Sequence, residues 1–480
     1  MRQDRTSHTG LGGWWGIFLP VVLVLSHLSI LSHPNAEAAP LGRRAELTNG
    51  LTLLVAERPS VPIVTVQVLL KAGSLWEPED KAGLANLTAR LLPLGTRSRT
   101  APEINETIEF VGGMLYASAS QERATLSLTV LKRDLDLGLE LLSDVLLHPA
   151  FREAEIARET RQLKGGIRQK REYPGAVARE AFAATLFGDH PYGRPVEGTE
   201  ESLDSITQQD LVEFHKRTYV PNNSIVIAAG DITLEEFQGT LDRHLQGWHR
   251  TEIPALPSSA VAPPSCPQLV TIDRAITQSH IMWGHVGIAR SNPDYYALSV
   301  MDQILGGRGM TSRLMRTIRD ERSWAYHVYS SLRAGLLPGS FVVGLQTKNE
   351  TAAPAVTEVM HQVRAIVEAG VTEQELEETK DYLIGSFPLG IDTNDGVVSL
   401  LAAIELYGLR MDYPDRYPEI IRAVTREDIQ RVALKYLHPD RGILVVVGDL
   451  AKAQVPSYNA KESCTDGEVA ESSPPASALP

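Results

Sequence analysis

The sequence predicts an α+β fold made of two homologous halves, each an α/β sandwich with helices packed on one face of a mostly antiparallel sheet. Three observations predict it. First, TQQDLVEFHKRTYVPNNSIVIAAGDI from Thr207 and TREDIQRVALKYLHPDRGILVVVGDL from Thr425 keep their anchors at a constant offset: Thr207 with Thr425, Asp210 with Asp428, Pro221 with Pro439, and Gly230-Asp231 with Gly448-Asp449. Each reads as a capped helix, a Pro turn, an apolar strand and a Gly-Asp stop. The whole signature recurs at the ends of two similar halves, which points to duplication. Second, each half opens with two strand-like runs followed by long amphipathic helices. Third, the Pro-rich stretch RTEIPALPSSAVAPPSCP, residues 250–267, lacks periodicity and reads as an extended linker.

Taken in order, residues 1–38 read as a signal peptide or an N-terminal anchor. Arg2 and Arg5 precede an apolar run from Gly13 to Leu31, and Ala36-Glu37-Ala38 before Ala39 has the small-x-small pattern of a cleavage site. The chain is therefore expected to be exported, to the periplasm or the medium. The same run, left uncleaved, allows membrane association through the N-terminus. The first half, residues 44–249, begins with TNGLTLLVAERP and IVTVQVLLKAGS as strands joined by a turn. KAGLANLTARLLPLGT, residues 81–96, opens a helix that Pro93 and Gly95 stop. Helices follow over Asp134–Leu147 and Glu153–Arg171. The second half, residues 268–450, repeats the plan with QLVTIDRAI, SHIMWGHVGIA, and helices over Thr351–Ala369 and Glu373–Leu383. The Ser/Pro/Ala-rich tail 451–480 reads as disordered.

Composition bounds the function. A chain of 480 residues with 43% hydrophobic and 22% charged residues can bury a core. Its net charge of -13 argues against nucleic-acid partners, which need clustered Lys and Arg. The two cysteines, Cys266 and Cys464, imply no disulfide framework and exclude a zinc site built from cysteines. The spacing of His244/His249 and His280/His285 gives no ligand pair on either a helix or a strand.

The duplicated plan, KAGLA at a helix start, HPYGRPVEGT at His190–Thr199, LGGRGMTSRLMRTIRDERSWAYHVYS at Leu305–Ser330 and TEQELEETKDYLIGSFPL at Thr372–Leu389 resemble the pitrilysin/insulinase metallopeptidases. The similarity is to the short two-half subunits of the mitochondrial processing peptidase type, and it covers about residues 44–450. The resemblance implies a clam-shell in which the halves surround a cleft. Active members carry H-x-x-E-H on the helix after G-L-A. On that alignment the first His position is Asn86, the Glu is Ala89 and the second His is Arg90. Of the two family glutamates seven apart, the earlier matches Glu159 and the later, a zinc ligand, falls on Gly166. Asn86 is a poor zinc ligand, Ala89 has no proton acceptor, and Arg90 has no lone pair to give. Arg90 is instead expected to pair with an acidic neighbour, Glu159 or Glu122.

The family pattern R-E-x-x-G-L-A-Y reads RDERSWAY here, so the resemblance assigns substrate binding to Arg319 and Tyr326. Asp320, Ser323 and Trp324 depart from it. The resemblance thus implies a non-catalytic subunit, with no catalytic or metal residue of its own and no cofactor. It would pair as a heterodimer with a zinc-bearing homologue, and the substrate would be an extended peptide. The alternative is a scaffold or peptide-binding subunit of a membrane or envelope complex with no peptidase role.

Overall fold

The two sheets show how closely the halves correspond. The computed structural model describes residues 40–253, 255–256, 261 and 266–455. The first half contributes β1 (Arg43–Glu46), β2 (Thr52–Glu57), β3 (Ile63–Leu70), β4 (Met114–Ala119), β5 (Ala124–Leu131) and β6 (Ser224–Gly230), ordered β1-β2-β6-β3-β5-β4. The second contributes β7 (Gln268–Asp273), β8 (Gln278–Val286), β9 (Ala325–Arg333), β10 (Ser340–Lys348) and β11 (Ile443–Gly448), ordered β7-β11-β8-β10-β9. Without the edge strand β1 the two orders coincide. Each sheet has a single parallel pairing at the equivalent place, β2 with β6 and β7 with β11, and is otherwise antiparallel. The two strand runs read at the start of each half, β2 and β3 or β7 and β8, are not neighbours: β6 lies between β2 and β3, and β11 between β7 and β8.

The first-half helices are α1 (Leu84–Leu91), α2 (Ala101–Phe110), α3 (Leu135–Leu147), α4 (Glu153–Arg171), α5 (Pro174–Phe187), α6 (Glu200–Ser205), α7 (Gln208–Thr218) and α8 (Leu234–His244). The second half has α9 (Tyr295–Asp302), α10 (Ala352–Ala369), α11 (Glu373–Ser386), α12 (Asn394–Leu406), α13 (Tyr413–Arg422), α14 (Arg426–Tyr436) and α15 (Leu450–Ala453). The duplicated helices α7 and α14 both begin with a capping box, Thr207 with Asp210 and Thr425 with Asp428. The short α15, capped by Asp449 and burying Ala453, carries order past residue 450. It corrects the expected start of the tail; residues beyond Val455 lie outside the described part. The expected signal peptide or anchor, 1–38, and much of the expected linker, 250–267, also lie outside it. Cys266 is disulfide-bonded, against the reading of the sequence; the only other cysteine, Cys464, is not among the described residues.

Helices cover both faces of each sheet, where the sequence predicted one. The inner strands are buried throughout, as in β6 and β11, so both faces need partners. One face of the first sheet packs on α1, α3, α7 and α8 through Val66, Val68, Leu87, Leu142, Phe214 and Phe237. The other face, including Leu54, Leu69 and Ile227, is covered by Val397, Val398 and Leu401 of α12, a helix of the second half. Reciprocally, Val177, Ala178 and Phe182 of α5, from the first half, pack on Ile272, Val342 and Val445 of the second sheet. Polar ties reinforce the exchange: Arg44 holds Glu405 at 2.9 Å, and Arg58 donates to the carbonyls of Ile391 and Asp392 at 2.9 and 2.6 Å.

Candidate functional site

The helix α1 is docked at its N-terminus by a carboxyl group that the sequence reading missed. Gly83 has φ 95°, and a Cβ there would sit 2.9 Å from the carbonyl oxygen of Glu197, so the turn into the helix requires glycine. The buried Glu77 accepts the backbone N–H groups of Ala85 at 2.7 Å and Gly83 at 3.3 Å, satisfying free donors of the first turn. Burial pushes the Glu77 carboxyl up to about 8, despite those donors and the nearby Arg194. With Glu79 and Asp80 so close in sequence, nothing in EPEDKAG singled it out.

Along α1, Asn86 and Ala89 are buried and Arg90 is about a third exposed. The Arg90 guanidinium donates to the carboxylate of Glu159 on α4, which is almost fully buried. Glu122, the other candidate partner, is occupied elsewhere, by the Tyr192 hydroxyl and the Leu336 N–H. Gly166 lies one helical stretch further along α4, and a Cβ there would meet nothing within 4 Å. The donor set therefore does not fit zinc. It comprises an amide, a methyl, a glycine and a carboxylate already held by a cation. Among the described residues no group of three or more His, Cys, Asp or Glu side chains is placed to hold a metal ion.

Arg319 and Tyr326 are brought together in the second half. The guanidinium lies over the Tyr326 ring at 5.1 Å, with its Nη1 3.8 Å from Asp320 and also in contact with Met310 Sδ. The tyrosine, at the start of β9, is 85% exposed. Both line an open cavity of about 580 Å³ with Gln278, Trp324, His327 and Gln346. Every residue lining that cavity belongs to the second half, so α1 and α4 contribute nothing to the walls around Arg319 and Tyr326. Between them runs the departure from the family pattern. Ser323 stands where the family has glycine, and its φ is 54°, a left-handed backbone that a side chain disfavours.

The edges of both sheets adjoin these positions. Among the described residues β4 pairs only with β5, and its exposed side chains include Met114 and Tyr116; α1 packs beside it. Among the same residues β9 pairs only with β10.

The insulinase family model, peptidase family M16, matches residues 52–200, and the peptidase M16 inactive domain model matches residues 205–383. An uncharacterized zinc protease of Mycobacterium leprae is 30% identical over 429 residues, spanning 86% of this chain and 93% of that protein. The chain belongs to peptidase family M16. A solved structure of a peptidase M16 inactive domain from Pseudomonas fluorescens superposes with a TM-score of 0.80 at 26% identity, covering 85% of this chain and 98% of that one. A protease from Helicobacter pylori shares the fold, with a TM-score of 0.79 at 21% identity over 85% of this chain and 99% of that one. In this chain α1 carries Asn86, Ala89 and Arg90, the positions that the sequence reading aligned with the zinc motif. An ion pair stands at the motif itself. Among the described residues no helix is long and apolar enough to cross a membrane.

Proposed function

We propose that this M16 chain is a non-catalytic subunit that pairs with a zinc-bearing homologue to bind and help cleave peptides. The observation that carries the reading is the Arg90–Glu159 pair, which puts a fixed cation at a ligand position and engages the one acidic group left there. The zinc-bearing chain would supply metal and base; this chain would supply Arg319, Tyr326 and part of the chamber wall. A guanidinium and a phenol are suited to a substrate carbonyl or a developing oxyanion. An extended peptide fits the free edge of β4 or β9 by strand addition. Export rests on the N-terminal pattern alone.

The test is reconstitution with a zinc-bearing M16 homologue from the same source. The chain alone should bind no stoichiometric zinc and hydrolyse no peptide, and one tightly held zinc per chain overturns the reading. In the complex, Arg319→Ala or Tyr326→Phe should lower kcat/KM at least tenfold while assembly persists. The scaffold reading has one observation in its favour: Arg319 already finds partners in Tyr326, Met310 and Asp320 of its own half. Silent Arg319 and Tyr326 variants in an intact complex would select it.

A further inference from the structure

We propose that the seam between the halves holds a binding site for a small organic dianion with an apolar body. A cavity of about 430 Å³ lies there, lined by Arg123 and Arg179 of the first half and Arg333 of the second, with Phe182, Met282 and Val342 as apolar wall. An adjoining cavity of about 360 Å³ shares Arg179 and Arg333 and adds Arg194 and Arg274. Both volumes fall in the range of small-molecule sites.

Several arginines are gathered there. Among the partly buried arginines of the chain, Arg313 pairs with Glu375 at 2.6 Å, Arg99 with Asp144 at 2.8 Å and Arg90 with Glu159, while Arg58 and Arg152 bond carbonyls and Arg290 a tyrosine hydroxyl. Around the seam, Arg123, Arg179, Arg274 and Arg333 have no carboxylate partner among the described residues; Arg274 donates only to the Arg171 carbonyl at 2.8 Å. The acids nearby are already engaged. Glu122 takes the Tyr192 hydroxyl and the Leu336 N–H, the latter at 2.6 Å, and Glu180 and Glu197 both sit on Lys170 at 2.8 and 3.4 Å. Arg194 Nε is buried without a hydrogen-bond partner among the described residues. Glu122 lines the first cavity and Glu180 and Glu197 the second, but arginines outnumber them in both, and the excess of like charge raises the energy of the empty site. In a chain of net charge -13 this is a local positive well. Guanidinium forks suit a phosphate or a pair of carboxylates, and the phenylalanine, methionine and valine wall suits an aromatic or aliphatic body. A ligand here touches both halves and would stabilise their union by mass action.

The test uses 1-naphthyl phosphate and phthalate as dianionic probes, with 1-naphthol and inorganic phosphate as controls, by calorimetric titration and thermal melts on the full chain. At least one dianion should bind tenfold or more tightly than both controls and raise Tm. Which one it is distinguishes a phosphate from a dicarboxylate ligand. The variant Arg179→Gln/Arg333→Gln removes two exposed side chains and should weaken that binding at least tenfold while Tm without ligand stays level or rises. No dianion binding to the native chain, undiminished binding to the variant, or a variant that melts more than a few degrees lower would each overturn the proposal.

Discussion

The pair that stands where the family binds zinc can be weighed by a double-mutant cycle on Arg90 and Glu159. Arg90→Ala leaves the Glu159 carboxylate, with a side chain only 5% exposed, without its cation. Breaking a buried pair from one side costs ~3–5 kcal/mol; since Arg90 itself is 35% exposed and water can reach its end of the pair, about 2–4 kcal/mol is expected. Glu159→Ala leaves an arginine that can turn to solvent and fill less of the gap, and about 1–2 kcal/mol is expected. The double variant removes the buried charge together with its partner. It should fall about 1–2 kcal/mol short of the sum of the single losses, the range found for contacting pairs. For roughly 400 folded residues the unfolding entropy is ~0.9 kcal/mol per kelvin, so Arg90→Ala should lower Tm by about 2–4 °C. Thermal and urea melts of the four proteins measure the cycle. If Arg90→Ala melts with the native chain, or the two single losses simply add, the pair is a surface contact and no substitute for a metal site.

Three further outcomes follow from the same geometry. Ser323→Gly should stabilise the chain by about 1 kcal/mol, because glycine adopts the φ of 54° without penalty; a lower Tm for this variant would refute the strain. His285 is buried between Trp283 and Phe341 and near His438, its Nε2 unpartnered among the described residues, and burial pushes its imidazole down to about 4. The unfolded chain then binds a proton that the folded chain refuses. Stability is full above about pH 6.5 and falls as pH drops towards 4, by about 2 kcal/mol between pH 7 and pH 5; in His285→Phe that share of the pH dependence should vanish from the melts. Gly230, at φ 141° with a Cβ position 2.0 Å from the Ile63 carbonyl oxygen, should tolerate alanine far worse than its repeat Gly448, whose nearest obstacle is the Ser279 hydroxyl at 2.4 Å. Comparable losses of Tm in Gly230→Ala and Gly448→Ala would contradict this.

Much of the architecture was legible because it is local. The capping boxes at Thr207 and Thr425 and the span of α4 follow from side chains that bond within a turn. The insertion of β6 between β2 and β3 was not, since strand order depends on partners far along the chain. A trace of two-sided burial was present in SIVIAAG and ILVVVG, apolar without alternation, which marks strands covered on both faces. What could not be read was which helix covers them. α5, PGAVAREAFAATLF, and α12, NDGVVSLLAAIEL, look like ordinary members of their own halves. At the candidate site, the altered zinc positions were readable from residue types alone, as was the choice of acids for Arg90. The decision for Glu159 needed the packing of α1 on α4, because Glu122 was claimed by Tyr192 from a distant loop. The strain at Ser323 was hidden for another reason: a serine replacing glycine could equally have relaxed the turn.

The crossing of α5 and α12 has a consequence for how the molecule came to be one chain. Each half withdraws one helix from its own body and lays it on its counterpart, so a half on its own would present a bare apolar sheet face and a stranded helix. Two such halves meet each other's need symmetrically, in the manner of a swapped homodimer. The Pro-rich segment 250–267 therefore fastens a union that the exchanged helices already make. A single cut in that segment should leave two fragments that stay together through gel filtration. A half-length chain built on this plan would cover both faces of its sheet only by pairing with a second copy.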